Sequence, residues 1–323
     1  MAAGVSLCGV ALVLRGTSVL NEVVGGIADR ETGALCTPQT RFQVASVSKQ
    51  FTAAAILLLV QRGRLRLDDP VERWLPGCPA AWRYMTVHHL LTHTSGIGHW
   101  DAIPLFDPLR PADPGDLVPM IQQSTLRAAP GRAWFYSSPG YILLGQIVQA
   151  AGGDTYAAFL SEHIFTPLGL SATSAGAAPA DGPVARGYRD GQPVRPWEMS
   201  FQAGTGNIWS TAADLTRFAA AVGSAELLTT DSRQAMFAIQ APIDPEITTG
   251  TGWEPHGYGY GWFIGAVAGH PGYYHPGDNP GYQSFNAARL HDPAIRLAVV
   301  TNDETTDLRT VVADLVGREC GGR

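Results

Sequence analysis

The chain has 323 residues, of which 45% are hydrophobic and 15% charged, and it carries a net charge of -6. That length can bury one large core or two smaller ones, and the composition excludes a disordered or fibrous chain. The acidic balance leaves no basic face for a phosphate backbone, so nucleic acid is not an expected partner.

The four cysteines, Cys8, Cys36, Cys78 and Cys320, show no C-x-x-C spacing and so indicate neither a zinc cage nor a redox pair. The apolar runs VSLCGVALVL and FTAAAILLLV fall well short of the roughly 20 residues of a membrane span, and no membrane partner is expected. No Lys or Arg precedes the first run, which therefore reads as a strand and not as a secretion leader. The expected setting is cytoplasmic, with reduced thiols.

In chain order, residues 5 to 29 alternate valine and leucine on either side of Arg15-Gly16-Thr17 and predict a β-hairpin. From near Ser46 to Gln61 an almost unbroken run of apolar helix formers, ended by Gly63, predicts a helix buried on most sides. The turn-rich LDDPVERWLPGCP marks a crossing into another region, and within it Asp68 and Asp69 read as a turn cap, because adjacent carboxylates do not oppose each other across a substrate. Helices are predicted at 86–93, 116–127, 140–151 and 154–164 among long Pro and Gly loops, and at 210–222 with Ser210 or Thr211 as N-cap. Strand signals return in YGYGWFIGAVAG, YYHPGDNPGYQSFNAARL and IRLAVVTND, the last two joined by the turn His291-Asp292-Pro293. TTDLRTVVADLVGREC closes the chain as an amphipathic helix. Strands at both ends with helices between them predict an α/β architecture of the α+β type, an antiparallel sheet flanked by helices. Residues 1–65 and 206–323 would form the sheet domain and 66–205 an inserted helical domain, with the active site at their junction.

Lys and Arg together number 22, and Lys49 is the only lysine. It follows Ser46 by three positions, so on a helix the amine and the hydroxyl share one face with Cβ atoms about 5–6 Å apart. Arginine stays protonated in any ordinary site, whereas burial and a helix amino end strip the proton from a lysine. A neutral Lys49 can then take the proton of Ser46, a poor nucleophile without a base. S-x-x-K alone is short, however, and an arginine-biased chain can keep one surface lysine by accident.

Further along, WFYSSPGY sets Tyr136 and Ser138 just before a predicted helix, and GYYHPGDNPGYQSF sets His275 and Gly277 on a predicted strand. Together with TRFQVASVSKQFTAAAILLLVQRGRLRLDDPVERWLP, MTVHHLLTHTSGI and GTGNIWSTAADLTRFA, these motifs run in one order along nearly the whole chain. In them the chain resembles the serine β-lactamase and penicillin-binding-protein-like hydrolases, in the branch of class C β-lactamases, family VIII carboxylesterases and D-alanyl-D-alanine carboxypeptidases. The resemblance implies the β-lactamase-like fold, with Ser46 as the acylated nucleophile and Lys49 as its base partner. It implies that Tyr136 shuttles protons and that His275, heading the H-x-G element, lines the cleft and orients the tyrosine or binds substrate. The implied oxyanion donors are the backbone N–H groups of Ser46 and of Asp278, which follows Gly277. A small ester or amide is the implied substrate, and no metal or organic cofactor is implied.

Two departures bear on that substrate. Ser138 stands where the family usually has Asn, so the side chain reaches less far and offers a substrate amide one donor fewer. Pro276 stands where many relatives have Thr, so a hydroxyl able to meet a substrate carboxylate is missing. Together they turn the expectation from β-lactamase or peptidase towards carboxylesterase, with an acyltransferase and a non-catalytic binding protein on the same fold as alternatives. No serine has glycine both two before and two after it, which argues against an α/β-hydrolase. His89 and His93 have the i, i+4 spacing of a metal pair, but no Glu follows His89, and the resemblance makes HHLLTHTSGI scaffold. His270 reads as a loop residue. Trp100 and Trp197, in loops, are the pocket candidates, while Trp134, Trp209, Trp253 and Trp262 read as core.

Overall fold

The computed structural model describes residues 7–104, 106–110, 114–244, 253–290 and 295–320. Strands β1 (Gly9–Arg15) and β2 (Ser18–Gly25) form the expected hairpin, whose turn places Gly16 at φ +60°, a conformation free of penalty only without a β-carbon. The other strands of the same sheet come late in the chain: β3 (Ala241–Pro242), β4 (Glu254–Tyr258), β5 (Phe263–Val267), β6 (His270–Asn279), β7 (Tyr282–Leu290) and β8 (Ile295–Thr301). All eight pair antiparallel in one sheet of order β3-β4-β5-β6-β7-β8-β1-β2. The two ends of the chain meet where Gly9 pairs with Thr301 and Arg15 with Ile295. His270, expected in a loop, begins β6, and the expected turn His291-Asp292-Pro293 lies outside the described residues.

Eight helices accompany the sheet among the described residues: α1 (Ser48–Gln61), α2 (Val87–Leu91), α3 (Pro114–Gln122), α4 (Ser138–Gly152), α5 (Tyr156–Leu160), α6 (Ala212–Gly223), α7 (Thr230–Phe237) and α8 (Leu308–Cys320). Side-chain alternation divides the two faces of the sheet between two cores. Val10, Leu12, Ala298 and Val300 join the large cluster that includes α1, α4 and α6. Ala11, Val13, Leu297 and Val299 join a smaller one covered by α8. Every residue of α1 from Ser48 to Leu59 is buried, as its unbroken apolar run requires. Thr86 and Thr211 cap α2 and α6 through their side-chain oxygens. The helix expected to reach 127 ends at Gln122, and α5 is short because the chain passes into a π-helical turn, Ser161–Phe165. Helix α7 has no counterpart in the sequence reading, since TDSRQAMF carries no apolar period.

No helix among the described residues is long and apolar enough to cross a membrane. Cys8, Cys36 and Cys78 are free thiols, and Cys8 Sγ donates to Asn302 Oδ1 at 3.3 Å.

Candidate active site

Ser46 stands on a single 3-10 turn, Ala45–Val47, immediately before α1. The residue before it, Ala45, is held at φ +46°, a left-handed conformation that costs a residue with a β-carbon about 1–2 kcal/mol. Burial and anchoring sustain that strain. Ala45 is buried, and the Val44 carbonyl accepts from Val47 N–H at 3.0 Å and from Ser284 Oγ on β7 at 2.7 Å. Val44 N–H in turn donates to Ile208 O at 2.9 Å, beside a small sheet in which Ile208–Ser210 pairs with Phe42–Gln43 and Ser174–Ala175. The turn is therefore clamped from two sides, with the Ser46 hydroxyl left at the surface of a cleft.

Lys49, in the first turn of α1, is 0% exposed. Its Nζ lies 3.0 Å from Ser46 Oγ, 3.2 Å from Ser138 Oγ and 3.1 Å from the Thr205 carbonyl oxygen, and among the described residues no carboxylate pairs with it. Burial pushes the amine well below the ordinary lysine range, because a buried ammonium without a counter-ion is costly. A neutral amine has two N–H donors and one lone pair. With Thr205 O and Ser138 Oγ taking the donors, the lone pair is left for the Ser46 hydroxyl.

Tyr136 and Ser138 come from the entry to α4, whose N-cap is Ser137. Ser137 Oγ accepts from Gly140 N–H at 3.1 Å and donates to Gly98 O at 2.9 Å, and Ser137 N–H donates to His93 Nδ1 at 3.1 Å. These bonds fix the segment so that the Tyr136 ring centre lies 5.0 Å from Lys49 Nζ. Burial raises the phenol above its ordinary value, and hydrogen bonds with the Ser46 and Ser138 hydroxyls oppose the rise.

His275 is brought to the same cleft by β6, but its ring nitrogens are not aimed at Tyr136. Nδ1–H donates to Pro276 O at 2.6 Å and Nε2 accepts from the Tyr258 hydroxyl at 3.1 Å, while the rings of His275 and Tyr136 stand 6.1 Å apart. Burial, and then Lys49, lower His275 to about 3, so the ring is an uncharged wall and not the orienting partner of the tyrosine. Two residues along, Gly277 presses against the nucleophile's turn. A β-carbon there would meet Ser284 Oγ at 2.4 Å, Val44 O at 2.5 Å and Ser46 N at 3.1 Å, which only glycine avoids. Asp278, with an exposed side chain, follows at the cleft mouth.

Two cavities open on Ser46. The larger, about 670 Å³, has aromatic walls from Trp134, Tyr136, Trp253, Phe263 and Tyr274. The smaller, about 290 Å³, lies between Trp100 and Trp197 and is otherwise polar, with Ser138, Gln202, Thr205 and Asn279. Ser46, His99 and Asp278 line both. Trp100 and Trp197 are thus at the site, as their loop positions suggested. Trp134 and Trp253, expected in the core, line the large cavity, whereas Trp209 and Trp262 are buried.

The histidine cluster divides by position. His89 Nδ1 accepts from Thr86 N–H in a capping box and His88 bonds to the Tyr260 hydroxyl, both scaffold roles. His93 packs 4.5 Å from the Tyr136 ring and 4.6 Å from the Tyr258 ring, behind the site. His99 was not expected at the site at all. Its Nδ1 accepts from Ser138 N–H at 3.4 Å, its ring meets Tyr136 edge-on, and burial lowers it to about 4, leaving an uncharged ring with Nε2–H. His99 and Gln202 carry no local sequence signal, and Thr205 entered only as part of GTGNIWSTAADLTRFA, because the contacts that bring all three to Ser46 come from distant loops.

The arrangement supplies a clamped hydroxyl, a neutral amine within hydrogen-bond distance, a phenol beside both and an aromatic cleft. Esterase EstB of Burkholderia gladioli is 37% identical over 200 residues, 57% of this chain, though the match spans only 50% of that esterase. Penicillin-binding protein 4 of Amycolatopsis lactamdurans is 31% identical over 98% of this chain and 86% of its own length. The solved structure of a D-stereospecific amidohydrolase from Streptomyces sp. superimposes with a TM-score of 0.80 at 27% identity, over 98% of this chain and 95% of that one. The family profile described as Beta-lactamase matches residues 1–318, and the chain belongs to the beta-lactamase family.

Proposed function

We propose that the chain is a serine hydrolase that cleaves small carboxylic esters through an acyl-enzyme on Ser46. The observation that carries this reading is the fully buried Lys49 amine, 3.0 Å from Ser46 Oγ and, among the described residues, without a carboxylate partner. As Oγ attacks the ester carbonyl, its proton passes to Nζ. The developing oxyanion lies between the backbone N–H groups of Ser46 and Asp278. Tyr136 then gives a proton to the departing alcohol, and water cleaves the acyl-enzyme with the proton flow reversed.

The preference for esters over penicillins or peptides rests on β6. Both of those substrates bring a carboxylate, and the strand presents an uncharged His275, a Pro276 without a hydroxyl and the Asp278 carboxylate. The similarity to EstB supports the same preference. Intact-mass measurement after exposure to a fluorophosphonate tests the nucleophile: one adduct is expected on the wild type and none on Ser46→Ala. Equal labelling of the two proteins sinks the assignment.

A further inference from the structure

Residues 133–137, which carry Tyr136 into the cleft, belong to no helix or strand, so no ladder of backbone hydrogen bonds holds them. Two backbone N–H groups, one on each side of the tyrosine, bond instead to a single residue, His93. Phe135 N–H donates to the His93 carbonyl oxygen at 2.8 Å, and Ser137 N–H donates to its ring Nδ1 at 3.1 Å.

The backbone of His93 is not what its own helix end calls for. Helix α2 closes with Thr94 N–H on His89 O at 2.9 Å and His93 N–H on Leu90 O at 3.3 Å, and this closure puts position 93 in the left-handed region, at φ +59°. Glycine, or sometimes asparagine, ordinarily fills that place, because a β-carbon is strained there. His93 stands there nonetheless, 0% exposed, with its ring centre 4.5 Å from that of Tyr136, 4.6 Å from Tyr258 and 5.0 Å from Tyr141. An Nδ1 that accepts has its ring proton on Nε2, and burial keeps the imidazole uncharged, as that bond requires. The helix end needs none of this; the imidazole serves the stretch that carries Tyr136.

We propose that His93 is a positioning residue that fixes the Tyr136 hydroxyl between Ser46 and the departing alcohol, a role that rests on the serine-hydrolase reading above. His93 lines neither cavity and acts through the Ser137 N–H and the face of the Tyr136 ring. Without the ring acceptor the backbone stays anchored at Phe135 but no longer at the Ser137 N–H, and the phenol loses its fixed place.

Proton donation matters most where the alcohol leaves poorly. The test therefore compares p-nitrophenyl butanoate, whose phenolate leaves unaided, with ethyl butanoate, whose alkoxide needs the proton, and reads the ratio of their kcat/KM values by pH-stat titration. His93→Leu keeps the bulk and the backbone bond to Phe135 but removes the acceptor, and should raise that ratio about tenfold over wild type by slowing the ethyl ester. His93→Asn tolerates the left-handed region and sets Oδ1 where Nδ1 lay, so its ratio should stay within about twofold of wild type. In a Tyr136→Phe background, His93→Leu should raise the ratio no further, since the two changes remove the same proton transfer. His93→Gln carries its acceptor one bond farther out, should raise the ratio as leucine does, and decides the matter if the leucine variant does not fold. A wild-type ratio in either of these variants, failure of both to fold, an asparagine ratio as high as that of leucine, or a further rise in the Tyr136→Phe background overturns the positioning role alone. No Ser46-dependent turnover of either ester overturns the hydrolase reading along with it.

Discussion

Replacing Lys49 with methionine separates its protonation state from its packing. Methionine has nearly the same reach and no charge, whereas arginine would place a permanent charge in a site that is 0% exposed and has no counter-ion among the described residues. The folded amine sits well below the ordinary lysine value of 10.5, so between the two values the unfolded chain binds a proton that the folded chain does not. Stability of the wild type must then rise with pH across that window and level off above the ordinary value. One proton sets the slope, at most about 1.4 kcal/mol per pH unit. Methionine does not titrate, so the stability of Lys49→Met relative to wild type should fall as pH rises from 7.5 to 9.5. Its absolute level also carries the orphaned Thr205 carbonyl, about 1–3 kcal/mol, but that cost does not change with pH. Urea unfolding followed by tryptophan fluorescence at the two pH values reads the difference directly, and esterase activity should drop by about 10²–10⁴-fold with the base removed. A stability difference that stays flat from pH 7.5 to 9.5 means that the folded amine keeps its proton, and the proposed base would be lost.

Three further outcomes follow from the same geometry. Gly277→Ala drives a β-carbon into Ser284 Oγ and Val44 O, so it should cost about 1–3 kcal/mol in chemical denaturation and lower kcat more than it raises KM; unchanged kinetics would show that β6 does not set the nucleophile's turn. Tyr258→Phe leaves His275 Nε2 as a buried acceptor without its donor and should cost about 1–3 kcal/mol, so a thermal midpoint equal to wild type would refute the hydrogen bond assigned here. Asp278→Asn removes a negative charge from the cleft mouth. It should raise kcat/KM for a carboxylate-bearing ester relative to a neutral one by roughly fivefold, about 1 kcal/mol, and an unmoved ratio would remove charge as the basis of ester preference.

The order of elements was legible because each rests on local pattern. The hairpin turn at Gly16, the cap at Thr211 and the apolar run of α1 depend on neighbours in the chain, and the structure places them where those patterns put them. Helix α7 and the shortening of α5 were not legible, since neither shows in an apolar period. At the site, Ser46 and Lys49 are coupled through local spacing, and the motif order brought in Tyr136, Ser138 and His275. The hydrogen-bond partner of His275 was not legible, because Tyr258 lies on β4, two strands away in the sheet.

By itself the sequence determined the architecture and the approach of Lys49 to Ser46, for both follow from short-range periodicity and from a lone lysine three residues after a serine. Only the tertiary structure decided that the amine is fully buried with no counter-ion among the described residues and that Ala45 is strained beside Ser46. It also decided that His99, Gln202 and Thr205 share the small cavity. Those features come from loops far apart in the chain converging on one turn. Burial and hydrogen-bond satisfaction are properties of that convergence, and no stretch of sequence carries them alone.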